Sequence, residues 1–157
     1  MSNEIYGFVD VSLSSSGSES LFKKLENTYG VGVCKIGEEQ LYNFPQYLLD
    51  QSSGKLLFCI ADKPGGWNAT CLIDYLNYAT NASIGLPLNG VDRVRLLEQV
   101  LADLLLESNA SRLCVALTDS SLIDESKIVL LESFHEILSN DFAECAPPCV
   151  LYDLRVK

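Results

Sequence analysis

The chain has 157 residues, 48% of them apolar, and its 21 acidic against 11 basic side chains leave a formal charge of −10. This length suits one domain over residues 1–157 with a core of its own, and the hydrophobicity excludes a disordered chain. The acidity argues against nucleic acid, whose binding relies on Lys and Arg neutralising phosphates. The apolar runs are too short to span a membrane, and the start MSNEIYGFVDV has no secretory pattern, so a cytoplasmic location without membrane contact is expected.

EIYGFVDVSL alternates well enough for a first strand. The Ser-rich tract at 12–20 reads as a turn into a helix, with Ser16 and Glu19 at capping-box spacing. LFKKLENTY follows, placing Leu21, Phe22, Leu25 and Tyr29 on one face, and Gly30 ends it as a left-handed cap. VGVCKI is a second strand. GEEQLYNF is expected to return as a hairpin strand, because Phe44-Pro45 blocks a helix through it, and PQYLLDQ forms a short helix before Gly54. KLLFCIAD, apolar without interruption between polar ends, is the clearest buried strand.

NATCLIDYLNYA reads as a helix with Asn68 as N-cap and Leu72, Ile73 and Leu76 as its apolar stripe; NASIGLPLNG is loop. Asn89 and Asp92 open a long helix, VDRVRLLEQVLADLLLES, whose apolar face covers more than half its circumference, so it should pack between the sheet and another element. RLCVALTD is a further buried strand, SLIDESKIVLLESFHEILS a further helix and CVLYDLRV the last strand. The alternation predicts an α/β or α+β single domain, with a mixed sheet of about five or six strands covered by helices.

Strand, glycine loop and helix start in sequence, as at CIADKPGGWNAT, is how many phosphate pockets are built. A Walker loop needs Lys and then Ser or Thr directly after its last glycine. Here Trp67 and Asn68 stand there and Lys63 precedes the glycines, so Pro-Gly-Gly reads as turn chemistry. Asp10, Asp62 and Asp119 each end an apolar strand. If those strands were parallel neighbours, three carboxylates could hold Mg²⁺ and promote phosphoryl transfer or hydrolysis. Asp is also common where a strand yields to a turn, because its side chain bonds the backbone there.

His135, the only histidine, falls inside a predicted amphipathic helix and reads as a boundary residue rather than a base. Four of the six cysteines, Cys34, Cys59, Cys71 and Cys114, sit in apolar surroundings as small hydrophobes. Cys145 and Cys149 have a C-x3-C spacing without a partner pair for zinc. Six free thiols, no metal and no cofactor are expected. N-A-[ST] occurs at Asn68, Asn81 and Asn109; without a secretory signal these are not glycosylation sites.

At about 100° per residue, the helix predicted over 121–139 turns Leu130, Leu131, Phe134, Ile137 and Leu138 toward the core. Glu125, Glu132 and Glu136 fall opposite, with Val129 among them, as an apolar spot in a charged rim would. In size, acidity and this acidic segment around DESKIVLLESFHE, the chain resembles bacterial toxin-immunity proteins. The resemblance implies a non-catalytic protein that steers toward a basic partner, such as a toxin, and neutralises it by occlusion. The alternative is a Mg²⁺-dependent enzyme built on Asp10, Asp62 and Asp119.

Overall fold

A computed structural model describes residues 3–50, 54–74, 85–119 and 122–157. Six strands form one mixed sheet: β1 (Asn3–Val9), β2 (Gly32–Lys35), β3 (Leu56–Ala61), β4 (Arg112–Asp119), β5 (Glu125–Leu130) and β6 (Val150–Arg155), in the order β2-β3-β1-β4-β6-β5. Every pairing is antiparallel except β5 with β6. Among the described residues four α-helices accompany the sheet: α1 (Ser15–Tyr29), α2 (Gln46–Asp50), α3 (Gly90–Glu107) and α4 (Phe134–Glu144). This is the single-domain α/β fold expected from the alternation of apolar patterns.

Successive strand residues point to opposite faces, so each central strand feeds two cores. Ile5, Val9, Phe58, Ile60, Val115, Leu117, Tyr152 and Leu154 face α1, α3 and α4. The residues between them, Tyr6, Phe8, Cys114, Ala116 and Leu151, face the other way and are covered by Leu41, Phe44 and Leu48. α3 packs against both α1 and α4, which is why its apolar face is so broad: Val94, Leu97, Val100, Leu101, Leu104 and Leu105 are all buried. Tyr29 hydrogen-bonds to Asp103 and Lys24 pairs with Glu107 at 2.6 Å, tying α1 to α3. Asp141 of α4 accepts from Lys127 of β5 at 2.8 Å and from the Tyr152 hydroxyl of β6 at 2.7 Å. One carboxylate thus joins both strands of the parallel pair to the helix that connects them.

Local signals set several boundaries as expected. Gly30 adopts φ 76° and its N–H donates to the Glu26 carbonyl. Asn89 caps α3 by accepting from the Asp92 N–H at 2.8 Å. Gly7 lies mid-strand because a β-carbon there would come within 1.9 Å of the Cys114 carbonyl oxygen; only glycine admits that backbone approach.

Three boundaries differ from the sequence reading. The first helix starts at Ser15, and its cap is Ser14, whose hydroxyl accepts from the Gly17 N–H at 3.1 Å, rather than Ser16. GEEQLYNF is not a hairpin strand. Residues Glu38–Leu41 form a 3₁₀ turn, closed by the Gly37 N–H donating to Gln40 Oε1 at 3.1 Å, and Leu41 and Phe44 drop onto the sheet three residues apart. The helix expected over 121–139 is two elements. Glu125–Leu130 is strand β5, a 3₁₀ turn spans Leu131–Ser133, and the helix begins only at Phe134. The helical periodicity was genuine for Phe134, Ile137 and Leu138, but upstream of them Lys127, Ile128 and Val129 alternate with period two. Ile128 is 70% exposed and Val129 2%, and the vacant side of β6 gave the β-branched pair a strand to join.

The strand assignment of β5 predicts opposite outcomes for adjacent, equally apolar residues. Val129→Thr places a hydroxyl in the core and should cost about 2 kcal/mol in urea unfolding. Ile128→Thr keeps a β-branched side chain in the solvent and should stay within about 0.5 kcal/mol of the parent. Equal effects would contradict the alternation.

Candidate functional site

The three strand-end aspartates do not assemble. β1 is antiparallel to both β3 and β4, so the ends of β3 and β4 flank the beginning of β1. Asp119 stands opposite Asn3 in register, and Asp62 follows β3 at that same end. Asp10 lies beyond the far end of β1, where its N–H donates to the Arg112 carbonyl. Seven strand residues separate the two ends, about 20 Å at the usual rise. Asp62 is also occupied: its carboxylate accepts from the Leu72 N–H at 2.8 Å and the Cys71 N–H at 3.1 Å. It, more than Asn68, caps the turn at 70–73, while Asn68 Oδ1 accepts from the Thr70 hydroxyl at 3.1 Å. Of the helix expected over 68–79, residues 70–73 form a turn instead; residues 75–79, with Leu76, lie outside the described residues, as does Asn81. Among the described residues no group of three or more His, Cys, Asp or Glu side chains could hold a metal ion.

The acidic helix face is likewise redistributed. Glu125 begins β5, with Lys127 4.0 Å away; Glu132 lies in the 3₁₀ turn and Glu136 in the first turn of α4, both exposed. Val129 leaves the set, since it faces the helix-side core. His135 places Nδ1 2.5 Å from Glu98 Oε2, a surface link between α4 and α3 that fits a boundary role.

The loop at Lys63–Trp67 is a turn, as its composition indicated. The Gly66 N–H donates to the Lys63 carbonyl at 3.0 Å and Gly65 has φ 81°. Pro then Gly at the two central positions, with the second in the left-handed region, is the type II pattern. What the turn does is hold up Trp67, which is 69% exposed. Across from it the 3₁₀ turn at Glu38–Leu41 delivers Tyr42, 72% exposed. Between them runs a groove of about 330 Å³, lined by Glu4, Tyr6, Ile36, Gln40, Tyr42, Cys59 and Trp67. It opens on the sheet face that the 3₁₀ turn and α2 cover only in part. Buried Tyr6 and Cys59 form its base, on adjacent strands in register.

A second hollow of about 220 Å³ lies on the same face near β5, lined by residues that include Tyr47, Arg112, Ser126, Ile128, Asp153 and Arg155. Arg112 and Arg155 are directly opposed in register, a like-charge pair that would repel. Asp153 resolves this by accepting from Arg112 Nε at 3.0 Å and Arg155 Nη2 at 3.0 Å. Burial pushes the Asp153 carboxyl up, but the hydrogen bonds and charges of the two guanidinium groups outweigh it and hold it below the ordinary carboxylate value. This cluster secures β4 to β6, and its arginines are engaged rather than offered to a ligand.

The groove residues were not singled out by the sequence pattern. Trp67 stands where a Walker loop needs its lysine, and the pattern of GEEQLYNF puts Tyr42 on a strand that does not form. Comparison with protein-family models, curated proteins and solved structures gives no match to the chain.

The arginine–aspartate cluster has a defined pH signature. Asp153→Asn removes the carboxylate that Arg112, whose side chain is 12% exposed, is hydrogen-bonded to and should cost about 3 kcal/mol. Because the folded carboxyl titrates below its unfolded value of about 3.9, the parent's advantage is complete above that value. It should shrink as pH falls through the lower folded value. Urea midpoints of parent and variant between neutral and acid pH test this; a gap that closes above pH 5 would count against the ion-pair account.

Proposed function

We propose that this domain is a non-catalytic binder that captures a basic protein partner through the groove between Trp67 and Tyr42, neutralising or regulating that partner. The observation that carries the reading is an exposed Trp and an exposed Tyr flanking a groove that also holds a carboxylate, Glu4. Aromatic faces attract a cationic side chain through their quadrupole, by about 0.5–1 kcal/mol each at exposed sites, and a neighbouring carboxylate selects for positive charge. Tryptophan and tyrosine are also the side chains that most often dominate binding energy at interfaces.

The net charge of −10 supports the same reading at longer range. Glu125, Glu132 and Glu136 contribute to that field as exposed acids away from the groove, so their part is steering rather than contact. Neutralisation of a basic bacterial toxin, the role of immunity proteins, is the particular form of this proposal that suits the domain's size and acidity.

Trp67 is the only tryptophan, so its emission reports directly on the groove. Titration with an arginine-rich peptide should change that emission saturably, and an equally long glutamate-rich peptide should not. Affinity should fall as salt rises. Tyr42→Ala and Glu4→Gln should each weaken binding about two- to fivefold. Identical responses to the two peptides, or unchanged affinity in both variants, would overturn the assignment of the groove.

A further inference from the structure

We propose that Cys34 and Cys59 form an oxidisable dithiol that hydroperoxides convert to a disulfide bridging β2 and β3. The two residues are direct partners in the antiparallel register of those strands. Directly opposed residues in such pairs have α-carbons about 4.5–5.5 Å apart, inside the window of about 4.4–6.8 Å that a disulfide spans. Their β-carbons, typically about 4.5–5.5 Å apart, need to close only slightly. The strand that must give is the pliable one: β2 is four residues long and forms the edge of the sheet.

Both side chains project to the partly covered face, since Val33 and Ile60, the adjacent register pair, project to the helix side. Cys59 lines the groove, and Cys34 is partly exposed at the sheet edge. Small oxidants therefore reach the pair. The thiols already interact: hydrogen bonding from Cys59 brings the Cys34 thiol down to about 7, against burial and the nearby Glu26 carboxylate, which act the other way. Cys59 is correspondingly pushed up, by that bond and by burial. The arrangement separates the roles of attacking thiolate and resolving thiol.

The chemistry balances with hydrogen peroxide as the oxidant. The Cys34 thiolate attacks one peroxide oxygen, the O–O bond breaks, and a sulfenic acid forms with loss of hydroxide, which is protonated to water. The Cys59 sulfur then attacks the sulfenic sulfur. The S–O bond breaks, and the departing hydroxide leaves as water with the Cys59 proton. Two thiols are oxidised by two electrons, and one peroxide is reduced to two waters. The Cys59 sulfur also lies 3.7 Å from the Trp67 carbonyl oxygen, so oxidation changes the surroundings of the sole tryptophan.

The other close pair provides an internal control. Cys145 and Cys149 each direct the thiol to the Pro147 carbonyl, at 3.3 and 3.8 Å. The full chain, reduced and then exposed to equimolar hydrogen peroxide at neutral pH, should pass from six titratable thiols to four when denatured. Peptide mapping should find one intramolecular Cys34–Cys59 link, reversed by dithiothreitol, with a change in Trp67 emission. Cys145→Ser should still lose two thiols, and Cys34→Ser should lose no pair and show no emission change. Six remaining thiols, a link mapped to Cys145–Cys149, a link between chains, or Cys34 oxidised while Cys59 stays alkylatable would each overturn the proposal. Since the thiols are counted without any binding partner, the outcome is independent of the groove's function.

Discussion

β1 runs antiparallel between β3 and β4, and its two faces are covered by different apolar clusters. Ile5 and Val9 anchor the helix layer, while Tyr6 and Phe8 anchor the smaller cluster opposite. No other arrangement of this strand serves both cores at once, since a one-residue slip would exchange its faces and leave each set of side chains against the wrong cover. Gly7 reinforces the register, because any side chain there would collide with the backbone of β4. The direction of β1 also decides the chemistry the sheet can offer. Antiparallel neighbours put successive strand ends at opposite edges, and this disperses carboxylates that a parallel sheet would have gathered.

The two covers are unequal, and the inequality creates the groove. Three long helices close one face. Among the described residues the other receives a 3₁₀ turn and a five-residue helix, Gln46–Asp50, and Leu41, Phe44 and Leu48 cap the middle of the sheet. Hollows remain to either side of that cap. One is filled electrostatically, by two arginines sharing Asp153. The other is left with aromatic side chains at its rim and a buried tyrosine and cysteine beneath. Exposure of Trp67 and Tyr42 follows from the way each is carried, one by a type II turn and the other by a residue just beyond a 3₁₀ turn, on loops attached to rigid strands.

Where an element's local pattern was unambiguous, the sequence disclosed it. KLLFCIAD, RLCVALTD and CVLYDLRV could only be buried strands, and Asn89 with a broad apolar face announced α3. Failures arose where local pattern and tertiary partner disagreed. Residues 125–130 fit a helical stripe, and the deciding fact was the free side of β6, a strand twenty residues further on. As part of strand β5, Val129 lies in the core rather than on an acidic helix face. The groove was illegible for a related reason. Its residues come from β1, β3 and two turns, and no spacing within one segment links Glu4 to Tyr42 or Trp67. The cysteine pair shows the same limit: each thiol reads as a small hydrophobe in its own strand, and only the β2–β3 register sets one opposite the other.

Cys59 belongs to both arrangements on this face, as part of the groove's base and as the partner of Cys34. It stands next to Tyr6 across the β1–β3 pairing and next to Cys34 across the β2–β3 pairing. A covalent tie to β2 would therefore act on the strand that supports the groove, through backbone hydrogen bonds that do not stretch far without breaking. The opposite is also true: whatever holds Trp67 in place holds the carbonyl that faces the Cys59 thiol. The edge of the sheet and the groove are mechanically one unit, and this follows from the order β2-β3-β1 rather than from any property of the cysteines themselves.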